Sequence, residues 1–246
     1  MDWIYLSIVT LLAATIQSAT GFGFGLIAVP VFLMILNSAD AIQITMIIVL
    51  FMSIADWMKL KGQGSKQLLL WLVVGMMLGF PFGIYIFLNF ELHLIKIMLA
   101  LIIIFFSGFN LIRLFREGST AVHHSPEHSN WATTLTGYFA GLLTTSLAMP
   151  GPPVMLYLVH KGFDKTVIRA TILTFFIFAY AGAVLLQFIM IGISVSTWTT
   201  SLTLVPVGLV GVFCGHTIAH RINQKLFKEI VLIILIIMAL VMLSQL

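Results

Sequence analysis

Residues 18–30 read SATGFGFGLIAVP and place three glycines, at positions 21, 23 and 25, inside an apolar run that extends from residue 3 to residue 36. A run of this length is long enough to cross a bilayer as a helix, because about 20 apolar residues span the hydrocarbon core. Closely spaced glycines are typical of a turn rather than of a continuous helix. The stretch therefore predicts a membrane helix that is broken in its middle.

The composition of the whole chain is that of a polytopic membrane protein. Hydrophobic residues make up 61% of the 246 residues, charged residues make up 8%, and the mean hydropathy is +1.14, far from the values of soluble domains. We therefore predict an all-α protein in a lipid bilayer. The net charge of +4 does not indicate a nucleic-acid partner, because the basic residues lie in short connections between apolar segments. The apolar segments are residues 3–36, 41–58, 67–90, 94–112, 131–159, 167–193, 199–219 and 229–246.

The distribution of lysine and arginine predicts the topology. Cytoplasmic loops of membrane proteins carry an excess of these residues, and the connections before and after residues 131–159 are both basic. This segment must then enter and leave on the same side, as a helical hairpin. Residues 3–36 have neutral ends and a glycine-rich centre, which predicts another hairpin. Every basic loop is then cytoplasmic, and both chain termini are external. The basic connections hold Lys59, Lys61 and Lys66; Arg113 and Arg116; Lys161, Lys165 and Arg169; and Arg221, Lys225 and Lys228.

The two hairpins predict an internal duplication. Residues 1–118 form one repeat, residues 119–130 a cytoplasmic linker, and residues 131–246 a second repeat, each a hairpin followed by three transmembrane helices. Because three crossings are an odd number, the second repeat is inverted relative to the first, as in many secondary transporters. A shift of 126 positions also aligns Gly25 with Gly151 and Thr45 with Thr171.

The interruptions of the two hairpins predict an anion site. Residues 144–156, TTSLAMPGPPVML, interrupt the second hairpin with prolines at 150, 152 and 153. A broken helix in a membrane is tolerated where it is buried in protein or lines a cavity. Two half-helix N-termini, each with about +0.5 of an elementary charge, suit a small anion. The candidate substrate-binding residues are Gln17, Ser18, Thr20, Gly21, Gly23, Gly25, Thr144, Thr145, Ser146 and Gly151. Close helix packing is the competing explanation of the small residues.

Other polar and aromatic side chains have simpler interpretations. Phe22 and Phe24 flank the glycines and are candidate gates, although core packing or lipid contact explains them too. We interpret Asp56 as an interfacial residue or a partner of Lys59 in preference to a proton relay. Helix-to-helix hydrogen bonds are expected for two polar residues inside spans, Gln187 and His216. Arg169 lies near a span end, where snorkelling toward the interface is a sufficient explanation.

No enzyme class, cofactor or specific metal site is indicated. The spans contain no HExxH motif, no paired aspartates and no Ser/His/Asp set, and the chain has no P-loop. The segment HHSPEH, residues 123–128, gathers side chains that bind zinc or copper, but its spacing does not hold them in a fixed arrangement.

Three stretches together resemble the TauE/SafE family of sulfite exporters and related organosulfur-anion permeases. They are TGFGFGLIAVP at residues 20–30, AMPGPPVMLYL at 148–158 and HKGFDKTVIRATIL at 160–173. The resemblance covers the whole chain and implies a bacterial inner-membrane transporter whose substrate is a small inorganic or organosulfur anion.

Our prediction is accordingly a secondary transporter that exports an anion such as sulfite by alternating access around two hairpin tips at the membrane midplane. An anion channel and an importer of an organosulfonate are alternatives, and a cation or metal transporter is a weaker one. The oligomeric state, the coupling ion and the direction are left open by the sequence.

Overall fold

The computed structural model describes residues 2–60, 64–116, 129–219 and 224–244, and in these ranges the protein is helical with no strands. The all-α class is therefore confirmed. The histidine-rich segment 123–128 and most of the predicted linker lie outside the described residues. The helices are α1 (Asp2–Thr20), α2 (Phe24–Leu36), α3 (Asp40–Leu60), α4 (Lys66–Asn89), α5 (Leu92–Arg116), α6 (Asn130–Leu147), α7 (Gly151–His160), α8 (Lys165–Met190), α9 (Val195–Ala219) and α10 (Gln224–Ser244).

Six of the described helices are long and apolar enough to cross a membrane, namely α1, α3, α4, α5, α8 and α9. Their outward surfaces carry large apolar side chains, such as Phe105, Leu185 and Ile189, with 60% or more of the side chain exposed. A soluble protein rarely exposes so much contiguous apolar surface. The exposure is that of a helix bundle whose outer surface contacts lipid.

Two helix pairs approach at backbone distance through glycines. On α4, Gly75, Gly79 and Gly83 face backbone carbonyls of α6, and a Cβ at any of the three would overlap a carbonyl oxygen. On α9, Gly211 and Gly215 face the backbone of α1 in the same way. Small residues at four-residue spacing allow such close packing in membranes, so these glycines fix which helices are neighbours.

The remaining helices complete the bundle around these two pairs. Helix α3 packs against both α8 and α9, and α5 packs against α10. The short helices α2 and α7 follow α1 and α6 directly and pack against them. Helices α1 and α6 therefore end inside the bundle rather than at its surface, and these internal ends contain the candidate site.

Candidate functional site

The first interruption, between α1 and α2, depends on two glycine conformations. Gly21 has φ +92° and Gly23 has φ +118°, values that side chains with a Cβ rarely adopt. The Gly21 N–H donates to the Gln17 carbonyl at 2.6 Å, and the Thr20 hydroxyl donates to the Phe22 carbonyl at 2.6 Å. We call residues 18–25 the first break. The helix is interrupted here for three residues, 21–23, at the position where the glycines predicted a break.

The second interruption, between α6 and α7, uses alanine where the first uses glycine. Ala148 has φ +55°, and its N–H and that of Met149 donate to the last-turn carbonyls of Thr144 and Leu143 at 2.9 and 3.0 Å. Helix α7 then begins at Gly151, with prolines in its first turn, where a missing N–H costs no helical hydrogen bond. We call residues 144–151 the second break.

The two breaks touch each other inside the bundle. A Cβ on Gly25 would lie 2.5 Å from the Ala148 carbonyl oxygen, and a Cβ on Gly151 would lie 3.5 Å from the Phe22 Cβ. Of the three glycines that indicated a turn, Gly25 does not form it: Gly25 lies within α2, where the absence of a Cβ allows the close approach to Ala148. The Phe176 ring, near the middle of α8, lies 3.2 Å from the same position on Gly151.

The three predicted hydroxyl ligands on α6 are buried, but their hydrogens are directed at backbone carbonyls. Thr144 donates to the Ala140 carbonyl at 2.6 Å, Ser146 to that of Leu142 at 2.7 Å, and Thr145 to that of Phe80 at 3.2 Å. Gln17 differs from these three. It is 1% exposed, and its Nε2 has no hydrogen-bond partner among the described residues. A buried amide without a partner is costly, so Gln17 offers a donor that an anion would satisfy.

The two candidate gate residues have different surroundings. Phe22 is partly buried and packs edge-on against Phe106 of α5, with ring centroids 5.7 Å apart. It also lies beside Gly151, at the contact between the breaks. Phe24 is fully buried in the hydrophobic core. The position between the breaks is therefore occupied by Phe22 and not by Phe24.

A charged network holds the first break, and three of its four members were given other roles from the sequence. Asp56 on α3 is 0% exposed; the Ser18 hydroxyl lies 3.1 Å from each of its carboxylate oxygens, and His216 Nε2 lies 2.8 Å from Oδ1. Arg169 Nη2 lies 3.1 Å from His216 Nδ1 and also donates to the Ser18 carbonyl. The network joins α1, α3, α8 and α9.

The network and one contact outside it bear on four interpretations made from the sequence. Asp56 is completely buried by neighbouring helices and its partners are Ser18 and His216, whereas the side chain of Lys59 lies outside the described residues. Arg169 does not snorkel outward, because its guanidinium points to Ser18 and His216. Helix-to-helix hydrogen bonds are confirmed for His216, with Asp56, and for Gln187, whose Nε2 donates to the Thr145 carbonyl at 2.9 Å.

The sequence contains one feature from which this network could have been predicted. Asp56 and His216 each lie within about one turn of a helix end, and Arg169 lies about one turn from a helix start. The loops next to these ends are all basic and were all assigned to the cytoplasmic side. Three ionisable residues at a similar depth on that side are candidates for mutual contact, since such residues rarely face lipid.

These features define a polytopic α-helical membrane protein in which two interrupted helices meet inside the bundle. Residues 6–242 match the family model described as Sulfite exporter TauE/SafE, and the chain belongs to this family. The resemblance read from the sequence is thereby confirmed. Comparison with curated proteins and with solved structures gave no match.

Proposed function

We propose that the protein is a secondary transporter that exports a small sulfur-containing anion such as sulfite, and that the anion binds where the two breaks meet. The contact of Gly25 with Ala148 and of Phe22 with Gly151 is the observation that carries this proposal. Membership of a family of sulfite exporters supports the substrate class. The same site would serve an importer of an organosulfonate, because direction follows from gradients and not from the binding chemistry.

The donors at the first break favour an anion over a cation. The first N–H groups of α2 have no partner within the helix, and the N-terminus of a helix attracts negative charge. Gln17 adds a buried amide donor without a partner. The guanidinium of Arg169 lies beside this break but is engaged with the Ser18 carbonyl and with His216. The donors proposed for the anion are therefore neutral, and such a site binds weakly enough to release its ligand, as transport requires.

Alternating access around the breaks rests on the proposed inverted repeat. In that repeat α1 corresponds to α6, α3 to α8, α4 to α9 and α5 to α10. Helix α1 packs on α9, and their counterparts α6 and α4 pack on each other in the same way, so the repeat relates one pair to the other. Helix α3 packs on α8 and α5 packs on α10, so each of these helices contacts its own counterpart. A two-fold relation between the halves accounts for this pattern of neighbours, and it supports movement of one half against the other.

The orientation is part of the same proposal. With basic loops on the cytoplasmic side of a bacterial inner membrane, both chain termini lie outside. An anion then leaves the cell down the inside-negative potential, which is worth about 2.3 kcal/mol per charge for each 100 mV.

The test is sulfite flux in proteoliposomes. Gly151→Leu fills the contact between the breaks and is expected to reduce flux at least tenfold, and Gly151→Ala less. Gly108→Leu on α5 is the matched control, because a Cβ at Gly108 meets no atom within 4 Å. All variants are first compared by thermal unfolding in detergent. Wild-type flux in Gly151→Leu would show that the contact is a packing feature, and a wild-type protein that moves no sulfite would exclude the substrate.

A further inference from the structure

Asp56 and His216 contact the first break through Ser18 but supply none of the donors proposed for the anion. We propose that this pair, with Arg169, is a proton-binding site that couples protonation of the protein to release of the first break. The inference rests on the proposed transport function for its physiological meaning, but the protonation step is a property of the network itself.

The hydrogen bonds of the network assign the histidine tautomer. A guanidinium is a donor only, so His216 Nδ1, 3.1 Å from Arg169 Nη2, must accept and carries no proton. Nε2 then carries the hydrogen and donates to Asp56 Oδ1 at 2.8 Å. In this conformation the imidazole is neutral, and one carboxylate balances one guanidinium.

A proton from solvent therefore has a defined position to occupy, the Nδ1 lone pair of His216. Once it is bound, an imidazolium N–H faces a guanidinium N–H at 3.1 Å, and two donors of like charge replace a hydrogen bond. The carboxylate of Asp56 is then paired with the imidazolium, so Arg169 loses the Nδ1 acceptor and its share of the negative charge and retains only the Ser18 carbonyl as an acceptor. The side chain of His216 is 18% exposed and lies about one turn from the end of α9, whereas Asp56 is 0% exposed. The imidazole is therefore the accessible member of the pair.

The other charged groups near the network do not supply an alternative proton acceptor among the described side chains. Helix α8 contributes Arg169, and its Tyr180 is bound to Ala148 at the second break. Helix α9 contributes His216 and Cys214, α1 contributes the Ser18 hydroxyl, and α2 has no titratable residue. The side chains of Lys59 and Lys165 lie outside the described part of the chain.

Release of Arg169 frees the first break because the same side chain holds it. Arg169 donates to the Ser18 carbonyl in the last turn of α1, and its Cγ lies 3.1 Å from the position of a Cβ on Gly21. Its Nε has no hydrogen-bond partner among the described residues. A guanidinium displaced from His216 therefore has free N–H donors beside the first break. Because these donors can bind an anion, protonation of His216 favours anion binding, and anion binding favours protonation in turn.

The first arm of the test needs no substrate. Protein with 15N-labelled histidine, reconstituted in lipid, is examined by solid-state NMR over a pH series, and the His216→Gln spectrum identifies the His216 signals. We expect the Nε2–H tautomer at alkaline pH and conversion to imidazolium on acidification. An Nδ1–H tautomer, or a ring that stays neutral over the whole series, overturns the proposal.

The second arm measures sulfite flux against pH in wild type and in His216→Gln, whose amide still donates to Asp56 but does not titrate. The ratio of wild-type flux to His216→Gln flux removes the effect of sulfite's own protonation, because that effect is the same for both proteins. Loss of one charge-assisted hydrogen bond changes an equilibrium on the order of tenfold or more, so we expect the ratio to rise about tenfold from alkaline to acid pH.

A flat ratio refutes coupling even if His216 titrates. Arg169→Gln is expected to abolish the pH dependence of flux. Arg169→Lys keeps the charge without the planar guanidinium and is expected to retain part of that dependence. Equal pH profiles for these two variants would also contradict the proposal. If wild-type protein transports no sulfite, the proposed function fails, and the NMR arm alone decides the proton site.

Discussion

The two breaks have the same place in their halves but are held by different chemistry. The first is held by the side chains of an aspartate, a histidine and an arginine. The second is held by neutral donors: Gln187 donates to the Thr145 carbonyl at 2.9 Å and Tyr180 to the Ala148 carbonyl at 2.9 Å. Charged hydrogen bonds depend on protonation and neutral ones do not. The first break is therefore suited to respond to pH, and the second is suited to stay fixed.

The same asymmetry is visible at matched sequence positions. With the shift of 126 residues, Arg169 corresponds to Gln43 and Asp56 to Gly182. Gln43 donates to the Gly192 carbonyl at 3.3 Å, at a connection between helices, and Gly182 packs closely against the Phe80 ring. The proposed duplication thus keeps the backbone interruption in both halves but keeps the charges in one. Substitutions at each break test this difference in charge.

The largest effect is expected for Asp56→Asn. Removing the negative charge leaves the partly buried guanidinium of Arg169 without its balancing charge and weakens the hydrogen bonds that Ser18 and His216 make to Asp56. A hydrogen bond to a charged group is worth about 1.5–3 kcal/mol. We expect a lower unfolding temperature in detergent and loss of sulfite flux. Asp56→Asn/Arg169→Gln should recover part of the stability but not the pH dependence. Additive losses in the double variant would show that the two groups do not interact.

Gly23→Ala should have the next largest effect. Gly23 has φ +118°, where an added Cβ is strained by about 1–3 kcal/mol whatever the space around it. The strain falls on the first break, so flux and stability should both decrease. Gly108→Ala, on the exterior of α5, is the control. Unchanged flux in Gly23→Ala would mean that the first break tolerates a different turn, which would weaken its assignment as a binding element.

Tyr180→Phe tests the neutral side of the comparison. The substitution leaves the buried Ala148 carbonyl without its 2.9 Å donor, at a cost of about 1–2 kcal/mol. We expect a moderate fall in stability and in sulfite flux, with the wild-type pH profile retained. A changed profile would place a proton-sensitive step at the second break and remove the proposed division of roles.

How much of this was predictable from the sequence depends on the range of the interaction. Hydropathy and the glycine and proline positions located the helices and their interruptions, because these are local properties. Ala148 was missed as the turn residue, since alanine has no preference for a positive φ. The network was missed because Asp56 and His216 are 160 positions apart. Each has an adequate explanation alone, and only the packing of α3 against α9 brings them together.

The smallest effect is expected for Ala148→Gly, which removes a Cβ at a positive φ where Gly23→Ala adds one. Alanine at φ +55° carries a strain of about 1 kcal/mol that glycine would relieve, while glycine raises the entropy of the unfolded chain by a comparable amount. The unfolding temperature should therefore change little, and flux should stay near the wild-type value if the hydrogen bond from Tyr180 to this carbonyl fixes the second break. A marked change in flux without a change in stability would instead show that the backbone at Ala148 moves during transport. In that case both breaks move during transport. The charges at the first break would then determine the pH at which movement occurs, but they would not restrict movement to that break.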